Sequence, residues 1–181
     1  EGNTFFDEQK LREGFKSEVG ETYIDPRADS DARGILSMYR KEGFVDVQVR
    51  KERIFRSENE VRLDLVINEG SRVRIGKVNI SGNKETHDKV FRNVLNEYDF
   101  KPGLWYNADT ARGDGTGYLE RKVRQMAVPQ SVEIKPVGDK EGERDAQVNI
   151  IEGQSGMVML GVGLGSDSGV IGQLVFEQKN F

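Results

Sequence analysis

The chain contains no cysteine among its 181 residues. Disulfides, thiolate zinc sites and thiol nucleophiles are therefore excluded, and the composition fits an oxidising space where stray thiols are a liability. A single histidine, His87, rules out a His-rich metal site and leaves a serine–histidine triad no spare. No apolar run approaches the roughly 20 residues of a membrane-spanning helix. No signal peptide is read either: Glu1 opens a polar stretch, and the sequence reads as an excised segment. Hydrophobic residues are only 35% of the chain and charged residues 32%, so any cores must be small. Proline is scarce at 4 and glycine frequent at 21. The net charge of −4 is unevenly shared, with 12 basic and 16 acidic side chains in residues 1–70 and 15 of each in 71–181. Neither part offers the basic surface that a phosphate backbone requires, so nucleic acid is not an expected partner.

What is present is a repeat. At a shift of 83 residues Gly20 meets Gly103, Tyr23 meets Tyr106, Leu36 meets Leu119, Ile67 meets Ile150, and Glu69-Gly70 meets Glu152-Gly153. At a shift of 80, Gly2-Asn3 meets Gly82-Asn83. The second copy shows the whole unit. Val73, Ile75, Val78 and Ile80 make a strand that ends at Ser81-Gly82-Asn83. Thr86 is placed to cap a helix with Val90, Phe91, Val94 and Leu95 on its apolar stripe. Lys101-Pro102-Gly103 breaks that helix. A second follows, with Ala111, Gly115, Tyr118 and Leu119 facing inward. Val132 and Ile134 alternate on one strand, and Ala146, Val148 and Ile150 on the last. The first copy repeats the order with its opening strand cut away. Leu11 and Phe15 mark helix one. Ala28, Ala32, Ile35, Leu36 and Tyr39 mark helix two behind Asp25-Pro26. A strand runs from Phe44 to about Phe55, and Val61, Leu63, Leu65 and Ile67 lie on the next.

The glycines of 113–117 follow no strand and precede no Walker lysine, so they do not read as a phosphate-cradling loop. They predict a weak start to the second copy's helix two. Trp105 and Tyr106 are expected in a core. The acidic run of 139–145 reads as a solvated turn, and no acid–base pair emerges. The chain is expected to be no enzyme and to hold no cofactor and no metal.

After Gly153 the composition changes. Residues 157–165 are apolar and glycine-rich, Ser166-Asp167-Ser168-Gly169 is a turn signal, and residues 170–177 form a second apolar run. The two runs read as a hairpin. Glycines at 161, 163 and 165 lie on one face, and Val158, Leu160, Val162 and Leu164 on the other. That is the pattern of an outer-membrane barrel strand, with an ordinary buried hairpin as the other reading.

Two strand–helix–helix–strand–strand units closing on Glu-Gly, followed by such a hairpin, resemble the outer-membrane β-barrel assembly family of BamA type. The units are similar to its polypeptide-transport-associated (POTRA) domains. The likeness rests on Ile80-Ser81-Gly82-Asn83, Gly103-Leu104-Trp105-Tyr106, Gly43-Phe44, and the segments 161–170 and 177–181. It spans essentially the whole chain. Two departures stand out: Ala127-Val128-Pro129 replaces the Gly-Phe junction in copy two, and Pro102 precedes Gly103 where relatives can carry an acidic residue.

The resemblance implies an α+β fold. It consists of two tandem POTRA domains, each a three-stranded sheet with two helices on one face, at 1–70 (first strand truncated) and 71–153. Residues 154–181 would be the first hairpin of a transmembrane barrel that is otherwise missing. It implies the periplasmic part of an outer-membrane assembly factor that guides unfolded β-barrel precursors. The partners would be those precursors, accessory assembly lipoproteins and, through the barrel, the outer membrane; the fragment would self-associate through strands. An open sheet edge accepts a foreign strand through backbone bonds with little sequence demand. In this fold the strand after helix two lies at an edge. The expected substrate-binding positions are Phe44, Val45, Val47, Val49 and Lys51 in copy one, with Val132 and Ile134 in copy two, where Pro136 shortens the edge. Met157, Met159, Gly161, Gly163 and Gly165 would form the barrel's seam strand. Met157–Gly165 would pair with a neighbouring chain or lie on its own POTRA sheet. The other readings are the POTRA region of a related translocation or secretion pore, and a nucleic-acid-binding α+β module.

Overall fold

The computed structural model describes residues 1–112, 117–126, 129–153, 156–165 and 169–178. The expectations for most of 113–117, for Ala127-Val128, for the Ser166-Asp167-Ser168 turn and for 179–181 lie outside these residues.

In the first unit, Asp7 accepts a hydrogen bond from the Lys10 amide and starts α1 (Glu8–Arg12). Pro26 in the first turn starts α2 (Asp25–Lys41), whose stripe of Ala28, Ile35 and Tyr39 is buried. β1 (Gln48–Ser57) and β2 (Glu60–Asn68) pair antiparallel, with Lys51 opposite Leu65. Leu11, Ile35, Tyr39, Phe44, Val47 and Ile67 form the core. The rings of Phe5, Phe6, Tyr39 and Phe44 close a loop of edge-on contacts at 4.9–5.3 Å between centroids.

The second unit runs β3 (Arg74–Ser81), α3 (Asp88–Glu97), α4 (Ala108–Ala111), α5 (Tyr118–Arg124), β4 (Pro129–Val137) and β5 (Glu143–Glu152). The sheet order is β3-β5-β4, with β3 parallel and β4 antiparallel to β5. Its core is larger and includes Val73, Ile75, Phe91, Leu95, Phe100, Tyr106, Leu119, Val123, Ile134 and Val148. Each such side chain contributes roughly 1.5–3 kcal/mol by leaving water. β6 (Gly156–Gly165) and β7 (Gly169–Gln178) make a separate antiparallel hairpin.

Several local expectations are corrected. The strand expected from Phe44 starts at Gln48, because Gly43-Phe44 is drawn into the next unit. The Gly43 carbonyl accepts the Val73 amide at 2.9 Å, and Phe44 bridges Arg72. Phe44 and Val47 are buried, and Val45 packs against the second core. Thr86 does not cap α3: His87 occupies the N-cap, and the Thr86 amide goes to Glu152. Tyr118 is 43% exposed, since α5 starts there and turns it outward onto Tyr98. Trp105 is half-buried rather than a core residue. It stacks under the guanidinium of Arg72 at 3.8 Å and of Arg74 at 4.0 Å, sealing the joint between units.

The closing Glu-Gly has a structural reason. Glu69 accepts the Thr4 and Phe5 amides and the Tyr39 hydroxyl, at 2.6–2.8 Å. Glu152 accepts the Lys84, Glu85 and Thr86 amides at 2.6–3.0 Å. Each carboxylate thus fastens the segment ahead of the unit's first helix to the end of its last strand. Burial pushes both carboxyls up, but the hydrogen bonds win and hold them below the usual carboxylate range. A depressed pKa adds stability above the unfolded value, here 4.5, and that stability is lost as pH falls through the lower folded value. Acidification below 4.5 should therefore destabilise both units. In thermal melts taken down the acid range, the Glu69→Gln, Glu152→Gln double variant should start less stable and lose less on acidification. An acid limb identical to that of the parent would contradict this assignment.

Candidate functional site: sheet edges and an exposed hairpin

In the second sheet β3 has its outer edge covered. The Gly103 amide donates to Ile75, the Ile75 amide to Leu104 and the Tyr106 amide to Val73, at 2.8–3.0 Å. Arg92 donates to the Val78 carbonyl further along. The Gly103-Leu104-Trp105-Tyr106 motif is thus a lid on that edge. β4 is the other edge, and it is blunted. The Ile134 amide donates to Oε1 of Glu120 at 2.6 Å, away from β5. N–H and C=O of one strand residue point the same way, and alternate residues share that direction. Val132, Ile134 and Pro136 therefore present their backbones outward. Ile134 has its donor taken, Pro136 has none, and among the described residues nothing accepts the Val132 N–H. The side chains of Val132 and Ile134 lie in the core, at 9% and 0% exposure, so only their backbones are available to a partner.

The first sheet differs at each of these points. The amino group of Glu1 donates to the Leu65 carbonyl at 2.9 Å, on the side of β2 away from β1. The Lys51–Leu65 pair is therefore a non-hydrogen-bonded one, and the Lys51 backbone points to the free edge of β1. Val49, Lys51 and Arg53 share that direction. At the shift of 83 they match Val132, Ile134 and Pro136, and Ser37 matches Glu120. No proline and no carboxylate stands at those places. Lys51 does not guard the edge as exposed lysines do. Its ammonium is held on α2 by Asp25 and Asp29 and carries a raised pKa from those two hydrogen bonds. Of the expected copy-one positions, the structure thus places Val49 and Lys51 on the edge strand. Phe44, Val45 and Val47 lie ahead of it, in the joint and the cores.

The hairpin has two unlike faces. Val158 stands opposite Phe176, Leu160 opposite Leu174 and Val162 opposite Gly172, an uncharged apolar wall. Leu160 and Val162 are each 81% exposed. Met157, Met159, Gly161 and Gly163 share the other face with Glu177, Val175, Gln173 and Ile171. The hairpin does not join either POTRA sheet, which corrects that arm of the expectation. Met157–Gly165 pairs with β7 on one side.

Sequence reasoning missed Glu120, whose carboxylate is 3% exposed and also accepts the Gly117 amide, and Asp31, 2% exposed, which accepts the Lys16 and Ser17 amides. A lone acid on the apolar stripe of Ala28, Ile35 and Tyr39 is the signal that marks Asp31; Glu120 has no such local mark. Among the described residues no group of acidic or histidine side chains is arranged to hold a metal ion.

The POTRA family model, described as a surface antigen variable number repeat, matches residues 1–70 and again 73–153. A crystal structure of BamA from Haemophilus ducreyi lacking POTRA domains 1–3 superposes with a TM-score of 0.69 at 20% identity, covering 95% of this chain and 32% of that one. The POTRA3–5 structure of Haemophilus influenzae BamA gives 0.64 at 16% identity, covering 80% of this chain and 54% of that one. The chain thus spans about a third of the first structure and about half of the second. POTRA domains of BamA and its Omp85 homologues lie in the periplasm, attached to the outer-membrane barrel. With both repeats matched by the family model and the fold superposing on those structures, the chain belongs to the POTRA family, as a tandem pair with the α+β fold of the BamA POTRA region.

Proposed function

We propose that this chain is the periplasmic part of an outer-membrane protein assembly factor, and that it guides unfolded β-barrel precursors by taking their strands onto the free edge of β1. The observation that carries this reading is the contrast between the two edges. β4 has lost outward donors to Glu120 and Pro136, while β1 offers Val49, Lys51 and Arg53. Backbone pairing asks little of the incoming sequence, which suits a guide for many clients.

Residues 154–181 are the opening hairpin of a barrel in this reading. The wall of Val158, Leu160, Val162, Leu174 and Phe176 faces lipid, and Met157–Gly165 is the seam strand that exchanges partners. The glycines at 161, 163 and 165 leave that strand weakly committed to any one neighbour. Accessory lipoproteins are further partners under the same reading.

The test is site-specific photo-crosslinking in the full-length protein, with the probe walked along residues 44–55 and 157–165. Crosslinks to nascent barrel proteins should appear from Val49 to Arg53 and along the seam strand, and be weak at Phe44 and Val47, which are buried. Crosslinks at the buried positions alone, or none to clients, would overturn the reading.

A further inference from the structure

The charge of residues 71–181 balances in number, but it is segregated along the second unit. At the joint the cations are committed to carboxylates. Lys101 meets Asp99 at 3.2 Å, Lys140 meets Glu143 at 3.0 Å, Arg144 meets Asp46 of the first unit at 3.5 Å, and Arg72 meets Glu42 at 2.8 Å. The opposite end leads into the hairpin, since β6 starts at Gly156, shortly after Glu152 closes β5. Pro129 pairs with Glu152, so β4 starts at that end too. The Glu152 carboxylate holds the amides of Lys84, Glu85 and Thr86, which brings the segment ahead of α3 to the same place. α5 starts level with the middle of β4, where Glu120 reaches the Ile134 amide, and runs back through Arg124 toward Pro129.

Lys84, Lys89, Lys122 and Arg124 therefore gather at the hairpin end. Lys122 lies 5.4 Å from the centre of the Tyr118 ring. Lys84, Lys89 and Arg124 are exposed and, among the described residues, meet no carboxylate. The acids of the same segments are largely spent. Glu120 and Glu152 accept backbone amides, and Asp88 is held by Arg92 at 3.1 Å. A chain of net charge −4 thus carries a local surplus of positive charge at one end of one unit. The exposed wall of Leu160 and Val162 begins just beyond it. Cations beside an apolar wall match the boundary between phosphate headgroups and hydrocarbon.

We infer that the hairpin end of the second unit is a docking surface for a bilayer containing anionic phospholipid, with Lys84, Lys89, Lys122 and Arg124 on the headgroup phosphates. The inference rests on the reading of residues 154–181 as a barrel hairpin, which puts the bilayer at this end. The four cations stand on two separate elements, the segment ahead of α3 and the last turns of α5. That spread suits a plane of many headgroups better than one bound phosphate. Each basic side chain close to an anionic surface strengthens binding about fivefold, and the attraction fades within a Debye length. Only the end that meets the surface therefore gains from it, and the charge committed at the joint does not compete.

The test is co-flotation of the 181-residue chain with two kinds of vesicle, phosphatidylcholine alone and phosphatidylcholine mixed with phosphatidylglycerol. The parent should prefer the mixed vesicles, and added salt should remove the preference. The triple variant Lys84→Gln, Lys89→Gln, Arg124→Gln should bind the mixed vesicles about tenfold or more weakly, with an unchanged melting midpoint because the three side chains are exposed. The variant Lys16→Gln, Arg33→Gln, Lys77→Gln removes the same charge from exposed positions elsewhere and should keep the preference. Leu160→Ser with Val162→Ser examines the hairpin reading separately. That pair should weaken binding to both kinds of vesicle and leave the anionic preference in place. If it changed nothing while the preference persisted, the hairpin reading would fall and the docking surface would stand. Equal loss in the two triple variants, equal binding of the parent to both kinds of vesicle, or release by inorganic phosphate beyond that by chloride at matched ionic strength would overturn the inference.

Discussion

Replacing Gly82 by alanine is expected to cost the second unit roughly 3 kcal/mol, a fall of its melting midpoint on the order of 10–20 °C. Gly82 sits at φ +86°, in the left-handed region. A Cβ there would also run into the carbonyl oxygen of Ile150, which is backbone in the central strand and has no room to move. Gly103 provides the control. Its φ is +87°, yet nothing lies within 4 Å of its Cβ position, so Gly103→Ala should carry the backbone strain alone, about 1 kcal/mol. The single tryptophan, Trp105, reports on this unit by fluorescence. Equal midpoints for the two variants would show that the close approach to Ile150 does not constrain the fold.

The second large effect concerns binding. Ser37→Glu with Arg53→Pro carries the two blunting devices of β4 onto β1. The proline should fold, because Pro136 already stands at the matching place in a ladder of the same register. Its missing N–H falls on the outer side, so the pairing of β1 with β2 is kept. With two of the edge donors of β1 lost at about 1 kcal/mol each, capture of an unfolded barrel precursor should weaken roughly 10–30-fold. The reverse pair, Glu120→Ser with Pro136→Arg, should let β4 begin to capture precursor. Unchanged capture by the first variant would mean that clients do not use the β1 edge.

Much of the fold is legible in the sequence, because alternation survives along single elements. Val61, Leu63, Leu65 and Ile67 keep a period of two over the half-buried strand they build, and Asp25-Pro26 announces α2. The beginning of β1 is not legible. Phe44, Val45, Val47 and Val49 continue the same apolar pattern through a bend that only the contact of Gly43 with Val73 creates. Tyr118 misleads for a similar reason, since the frame of its helix is set by where α5 starts. The blunting of β4 is half legible. Pro136 declares itself, but nothing in Tyr118-Leu119-Glu120 separates a carboxylate that reaches the Ile134 amide from one in solvent. The Glu-Gly repeats are visible as a coincidence of letters. Their use, fastening a distant turn through three hydrogen bonds, depends on the strand order that the sheet alone reveals.

Residue-resolved hydrogen exchange across β1, with and without an unfolded β-barrel precursor, tests the central claim most directly. In the free chain the amides of Val49, Lys51 and Arg53 should exchange fast, while those of Arg50, Glu52 and Ile54, turned toward β2, stay protected. Added precursor should slow the first three and leave the others unchanged. Slow exchange at Val49, Lys51 and Arg53 in the free chain, or no change there on adding precursor, would contradict the account.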